Sequence, residues 1–164
     1  MAPSVDVPVF EAAHRDAIAH FAEHGWLLVR SFDTKAISRL QRWVDEVAEW
    51  PAQGAGWLQY REMTDSGPQL CRSENFVPFH DGLHALLTAG PVLEVASALL
   101  DEPAVLYKEK INYKLAGGAG YAPHQDAPAY RFVERHVSCM LAVDDATVDN
   151  GCLEVVSGMQ HQLL

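Results

Sequence analysis

Val105-Leu106-Tyr107-Lys108-Glu109-Lys110-Ile111-Asn112-Tyr113-Lys114-Leu115 is where this chain changes its period. Val105, Tyr107, Glu109, Ile111, Tyr113 and Leu115 fall on one face of an extended chain. Leu106, Lys108, Lys110, Asn112 and Lys114 fall on the other. A period of two predicts a β-strand. Its lysine-bearing face is either solvated or lines a polar cavity. Composition favours solvation, because lysine is seldom buried. Upstream the apolar positions follow a helical period, and downstream the strand-like pattern continues. Helices first and strands after predict an α+β domain, with helices packed outside a sheet or barrel.

Residues 11–24 read as a helix with Ile18 and Phe21 inward and Gly25 as its stop. Residues 26–30 read as a short apolar strand. Asp33 or Thr34 caps the clearest helix, which runs to about Trp50. Ile37, Leu40, Val44 and Val47 form its apolar stripe, and Pro51 closes it. Residues 52–56 are a loop, and residues 57–63 suit a strand. Residues 79–89 and 91–100 read as two helices split at Gly90-Pro91. Past the long strand, Gly117-Gly118-Ala119-Gly120 is a loop. Residues 136–143 and 152–156 are apolar and strand-like, with the turn dipeptide Asn150-Gly151 between them.

At 164 residues the chain can bury a core, and its 49% apolar content excludes disorder. A net charge of −10 argues against nucleic acid or an anionic membrane surface as partner. Residues 1–10 carry Asp6 and no basic segment, unlike a signal peptide. No apolar run is expected to reach the ~18 residues of a membrane span. Cys71, Cys139 and Cys152 form no C-x-x-C. They read as buried thiols in a reducing, cytoplasmic setting.

The chemistry concentrates at His124-Gln125-Asp126. On a strand, residues i and i+2 point to one side, so an imidazole and a carboxylate can converge on one ion. Neutral imidazole and carboxylate are the donor types of the 2-His-1-carboxylate triad that holds Fe(II). By itself the triplet is common, and a surface His and Asp beside a loop is the plainer explanation.

The triplet belongs to an ordered series: residues 108–126, then Ala127-Pro128-Ala129-Tyr130, Val143-Asp144-Asp145-Ala146-Thr147 and Asn150-Gly151-Cys152-Leu153-Glu154-Val155-Val156. This series resembles the phytanoyl-CoA dioxygenase family of Fe(II)/2-oxoglutarate oxygenases. The front fits too, from His24-Gly25 through Trp26-Leu27-Leu28-Val29-Arg30. The resemblance implies a double-stranded β-helix, a jelly-roll or cupin-like barrel, with flanking N-terminal helices. One domain would cover residues 1–164, mainly helical over 1–103, with the first barrel strands over 104–164. It implies His124 and Asp126 as iron ligands. It implies Lys110, Asn112 and Met140 beside 2-oxoglutarate. For Lys110 the physical case is direct, since an ammonium gives a carboxylate a charge-assisted hydrogen bond.

The implied activity is hydroxylation of a small organic substrate, using O2 and 2-oxoglutarate and releasing succinate and CO2. Related halogenases lack the carboxylate, so Asp126 favours hydroxylation. The family's distal iron-binding His and its 2-oxoglutarate-binding Arg have no counterpart before Leu164. The barrel is therefore expected to be incomplete in this chain. A non-catalytic fragment or binding module of the same fold is the alternative.

His161 lies at a turn that usually does not supply the distal ligand. His80-Asp81-Gly82-Leu83-His84 mimics a zinc-protease motif, but Asp replaces its Glu, so helix-surface histidines are expected there. His20 and His24 are read the same way. Arg72, Glu74 and Asn75 are expected in a solvated loop. Tyr121, Tyr130 and Arg131 flank the proposed iron pair and are candidates for substrate contact or plain packing.

Overall fold

A computed structural model describes residues 7–162. The N-terminal residues around Asp6, and the end at Leu164, lie outside the described residues. The chain is a mixed helix and sheet structure. Its elements run β1 (Val9–Phe10), α1 (Arg15–His24), β2 (Leu28–Val29), α2 (Thr34–Ala48), β3 (Leu58–Thr64), β4 (Gly67–Glu74), α3 (Asp81–Thr88), α4 (Pro91–Leu100) and β5 (Lys110–Asn112).

The helix α2 forms as its sequence dictates. Asp33 accepts the Ala36 amide at 2.7 Å, which satisfies one of the free N–H groups of the first turn. Leu40, Val44 and Val47 are buried along one stripe, and they join Phe76, Val77 and Leu83 in the core. Trp43, Trp50, Leu86, Leu87, Ile111, Tyr113, Leu141 and Val143 pack around it. In α1 the inward residue is Ala17, whereas Ile18 is exposed. Phe21 is half-buried one turn from Ala17, so the expected face of α1 is corrected at Ile18 alone.

The strands β3, β4 and β5 make a three-stranded antiparallel sheet in that order, and β1 and β2 pair in parallel elsewhere. Neither sheet closes on itself. The expected loop around Arg72 and Glu74 is the strand β4. Its sequence, Gly-Pro-Gln-Leu-Cys-Arg-Ser-Glu, has no β-branched residue and little alternation. Pairing on both edges outweighs that weak local preference. Tight turning at Asp65-Ser66 is secured by Thr64, whose hydroxyl donates to Gly67 O at 2.9 Å and accepts from Ser66 N.

The expected long strand is only Lys110–Asn112, and its alternation slips. Leu106 packs inward, while Val105 and Tyr107 are exposed. Glu109, Ile111 and Tyr113 then turn inward. The inward Glu109 is satisfied by accepting the Val77 amide at 3.0 Å. Residues 136–143 and 152–156 are not strands. A strand exists only through a partner's hydrogen bonds, and among the described residues nothing pairs with them. Cys139 is exposed, not buried as expected, for the same reason.

The run Asp81–Leu100 has a mean hydropathy of 1.6, long and apolar enough by composition to cross a membrane. This corrects the expectation that no run reaches that length. It is broken at Ala89–Gly90, where Gly90 takes φ +79°. The halves have 8 and 10 residues. Neither alone reaches the ~30 Å of a bilayer core.

The last forty or so residues are tied down by hydrogen bonds from side chains and backbone. Gln41 donates to Val143 O at 3.1 Å, and Arg135 to Leu100 O at 2.9 Å. At α1, Gln160 donates to Ala22 O and Glu23 O, Gly158 N donates to His24 O, and Trp26 donates to Ser157 at 2.6 Å.

Candidate metal and substrate site

His124 and Asp126 do not lie on a strand. Asp126 has helical φ −74° and ψ −34° and precedes a single 3-10 turn, Ala127–Ala129. The pair nevertheless converges, with His124 Nε2 3.9 Å from Asp126 Oδ1. Chain bending has replaced the strand geometry expected from the sequence.

Each side chain is oriented by a second contact. His124 Nδ1 lies 2.7 Å from Ala122 O, an atom that can only accept, so Nδ1 carries the proton. In the neutral imidazole the lone pair is then on Nε2, the nitrogen facing Asp126. Ser138 donates to Asp126 Oδ2 at 2.7 Å, which leaves Oδ1 toward the imidazole. A lone pair opposite a carboxylate oxygen gives no mutual attraction. It is a donor set that suits a cation, and a carbonyl-anchored imidazole is the usual support for a metal-ligating histidine. The side chains are 59% and 37% exposed, so water reaches both. Among the described residues no third His, Cys, Asp or Glu joins them.

The face of β5 bearing Lys110 and Asn112 continues across the sheet. Asn112 is opposite Arg72, and Lys110 is opposite Glu74. Arg72 lies over the Tyr60 ring at 4.5 Å and 3.1 Å from Glu74. Lys108 reaches the other Glu74 oxygen at 3.7 Å. Lys110 has no ion-pair partner among the described residues. Tyr121 links this face to the pair: its hydroxyl is 3.4 Å from Asn112 Oδ1, and its ring is 6.4 Å from that of His124. Lys114 sits over the same ring at 5.1 Å. Met140 is 62% exposed. No hydrogen bond or ion pair joins Lys110 or Met140 to the His124–Asp126 pair among the described residues.

A family model for phytanoyl-CoA dioxygenase matches residues 21–162. The chain belongs to the phytanoyl-CoA dioxygenase family. Within it, the chain is 48% identical over 130 residues to a methylphosphonate hydroxylase of Gimesia maris, covering 79% of this chain and 50% of that protein. It is 37% identical over 145 residues to a 2-aminoethylphosphonate dioxygenase of an uncultured bacterium, covering 85% of this chain and 55% of the relative. It is 35% identical over 127 residues to the dioxygenase lolE1 of Epichloe uncinata, covering 77% and 50%. The chain spans about half the length of these curated relatives. No solved structure matches it.

His80, His20 and His24 have structural work. His80 caps α3, its Nδ1 accepting the Leu83 amide at 3.1 Å, so Nε2 carries the proton toward Glu46 at 3.2 Å. Its side chain is only 10% exposed, which corrects the expected surface position. His84 is exposed. His20 and His24 stack on each other at 4.3 Å beside Trp26. His161 is exposed in the turn after Gln160. Sequence reading missed Ser138 and the Ala122 carbonyl. Neither carries a signal in the chain, since their value lies wholly in what they touch.

Proposed function

We propose that this chain forms part of an Fe(II)/2-oxoglutarate-dependent oxygenase that hydroxylates a small organophosphonate. The observation that carries the proposal is the His124–Asp126 pair, with Nδ1 anchored on Ala122 O and Nε2 facing Oδ1, within the region matched by the family. The names of two relatives support a phosphonate as substrate. Iron bound there would supply the oxidising chemistry that turns O2 and 2-oxoglutarate into CO2 and succinate while a substrate C–H becomes C–OH.

The protein's own residues bind and orient. His124 Nε2 and Asp126 Oδ1 would hold the metal. The Ala122 carbonyl fixes the imidazole tautomer, and Ser138 fixes the carboxylate. Lys110, Asn112 and Met140 would flank 2-oxoglutarate, Lys110 by pairing with a carboxylate. The open polar face of β3–β5 would then be the inside wall of a double-stranded β-helix within a single domain. Three free cysteines support a reducing, cytoplasmic setting.

The test is anaerobic titration with Fe(II) and 2-oxoglutarate, followed by succinate release on adding O2 with methylphosphonate or 2-aminoethylphosphonate. A visible charge-transfer band that needs both additions, and succinate that needs a phosphonate, are expected. Absence of the band and of succinate would remove the oxygenase reading. It would leave a non-catalytic binding module of the same fold as the second reading.

A further inference from the structure

Around the turn that follows Asp126, three rings meet that the proposed metal site does not use. Tyr107 and Tyr130 have centroids 5.4 Å apart with planes at 79°. Tyr107 and Phe132 are 6.0 Å apart at 89°, and Tyr130 and Phe132 are 6.4 Å apart at 86°. Near-equal separations and near-right angles describe three walls meeting at a corner. His136 adds a fourth ring, 5.6 Å from Tyr130 at 82°. Here Phe132 is 77% exposed and Tyr107 47% exposed, so ring surface remains open to water.

The face of an aromatic ring carries partial negative charge, and several faces around one point attract an organic cation. A cation seated in a right-angled corner of this size lies about 4 Å from each ring, within the ~6 Å reach of a cation–π contact. Partial burial, then Tyr130, then the Asp126 carboxylate raise the Tyr107 hydroxyl above its ordinary value. That phenol therefore stays neutral at physiological pH and presents an uncharged ring.

We propose that Tyr107, Tyr130 and Phe132 form a subsite for an organic cation, an ammonium or quaternary ammonium group carried by the substrate of the His124–Asp126 site. The proposal rests on reading that pair as the reacting centre. Within the phosphonate reading, it selects substrates whose alkyl chain ends in an ammonium over those ending in a methyl.

The first probe needs neither iron nor a phosphonate. The full chain is titrated with tetramethylammonium chloride, aromatic proton NMR shifts are followed, and sodium chloride at equal ionic strength serves as control. Saturable shifts are expected in the wild type. Phe132→Leu keeps the bulk but loses the π face, and should weaken binding at least about fivefold. Tyr107→Phe keeps the face and should bind as the wild type does. No saturable shift, or equal binding by Phe132→Leu and wild type, overturns the subsite. Far-UV circular dichroism checks that the variants fold.

The second probe compares 2-aminoethylphosphonate with uncharged-end propylphosphonate. Tighter binding of the ammonium compound, lost in Phe132→Leu, supports the subsite. Equal binding of both overturns it and leaves the phosphonate reading standing. Tetramethylammonium binding with neither phosphonate bound supports the corner and removes phosphonates as the substrate class.

Discussion

Ser138 shows how one hydroxyl can set the properties of a site. Its bond to Asp126 Oδ2 holds the carboxylate so that Oδ1 faces His124. Supporting contacts of this kind typically change metal affinity by 10- to 100-fold. Ser138→Ala should therefore weaken Fe(II) binding by roughly tenfold, with little change in melting temperature, because the bond is exposed. Isothermal titration with Fe(II) under anaerobic conditions checks this. Tyr113 makes a second prediction at the same scale. Burial raises its pKa, the hydroxyl of Ser73 opposes that in part, and Asp45 adds to the rise. A phenol whose folded pKa exceeds its unfolded one binds its proton more tightly in the folded state. Its contribution is full below the unfolded pKa of about 10 and is lost as pH rises through the folded value. Chemical denaturation between pH 9 and 11 should show stability falling. Tyr113→Phe should flatten that fall.

The clearest element is α2, where local and tertiary forces agree. Asp33 caps it, and Leu40, Val44 and Val47 bury one stripe. Asp33→Ala should cost about 1 kcal/mol. Leu40→Ala should cost about 2–4 kcal/mol, because it also leaves a cavity in the core. Urea denaturation measures both, and a cap effect as large as the core effect would contradict this ordering. Helices were largely legible in the sequence for this reason. Their bonds join residues four apart, and their buried stripe recurs every three or four positions. The turn at Gly90 was legible too, because Gly-Pro stops one helix and starts the next. The strands were less so. Residues 57–63 suited a strand and β3 covers most of them, but β4 was read as a loop and exists because β3 and β5 flank it.

At the scale of the molecule, the C-terminal stretch is secured to α1 by Gln160, Gly158 and the Trp26–Ser157 bond. Gln125, between the proposed ligands, donates to Met159 O and Gln162 O. One turn therefore contacts both α1 and the candidate metal site. Gln160→Ala removes its two bonds to Ala22 and Glu23. Amide hydrogen exchange should become faster at residues 157–162 and at the end of α1, and remain unchanged in α2. Unchanged exchange at the turn would mean that the remaining contacts suffice.

By itself the amino-acid order determined the four helices, the His124–Asp126 donor types and the family. All of these rest on residues near one another in the chain or on motifs in fixed order. Only the tertiary structure decided which atoms face each other. It placed Ala122 O on one nitrogen of His124 and Ser138 on one oxygen of Asp126. It turned Leu106 inward and Tyr107 outward, and it brought Tyr107 to Tyr130 and Phe132. Periodicity encodes a face, because that depends on bond geometry along one segment. A convergence of distant segments depends on where each stops being regular, and that is settled by packing and hydrogen bonds between segments.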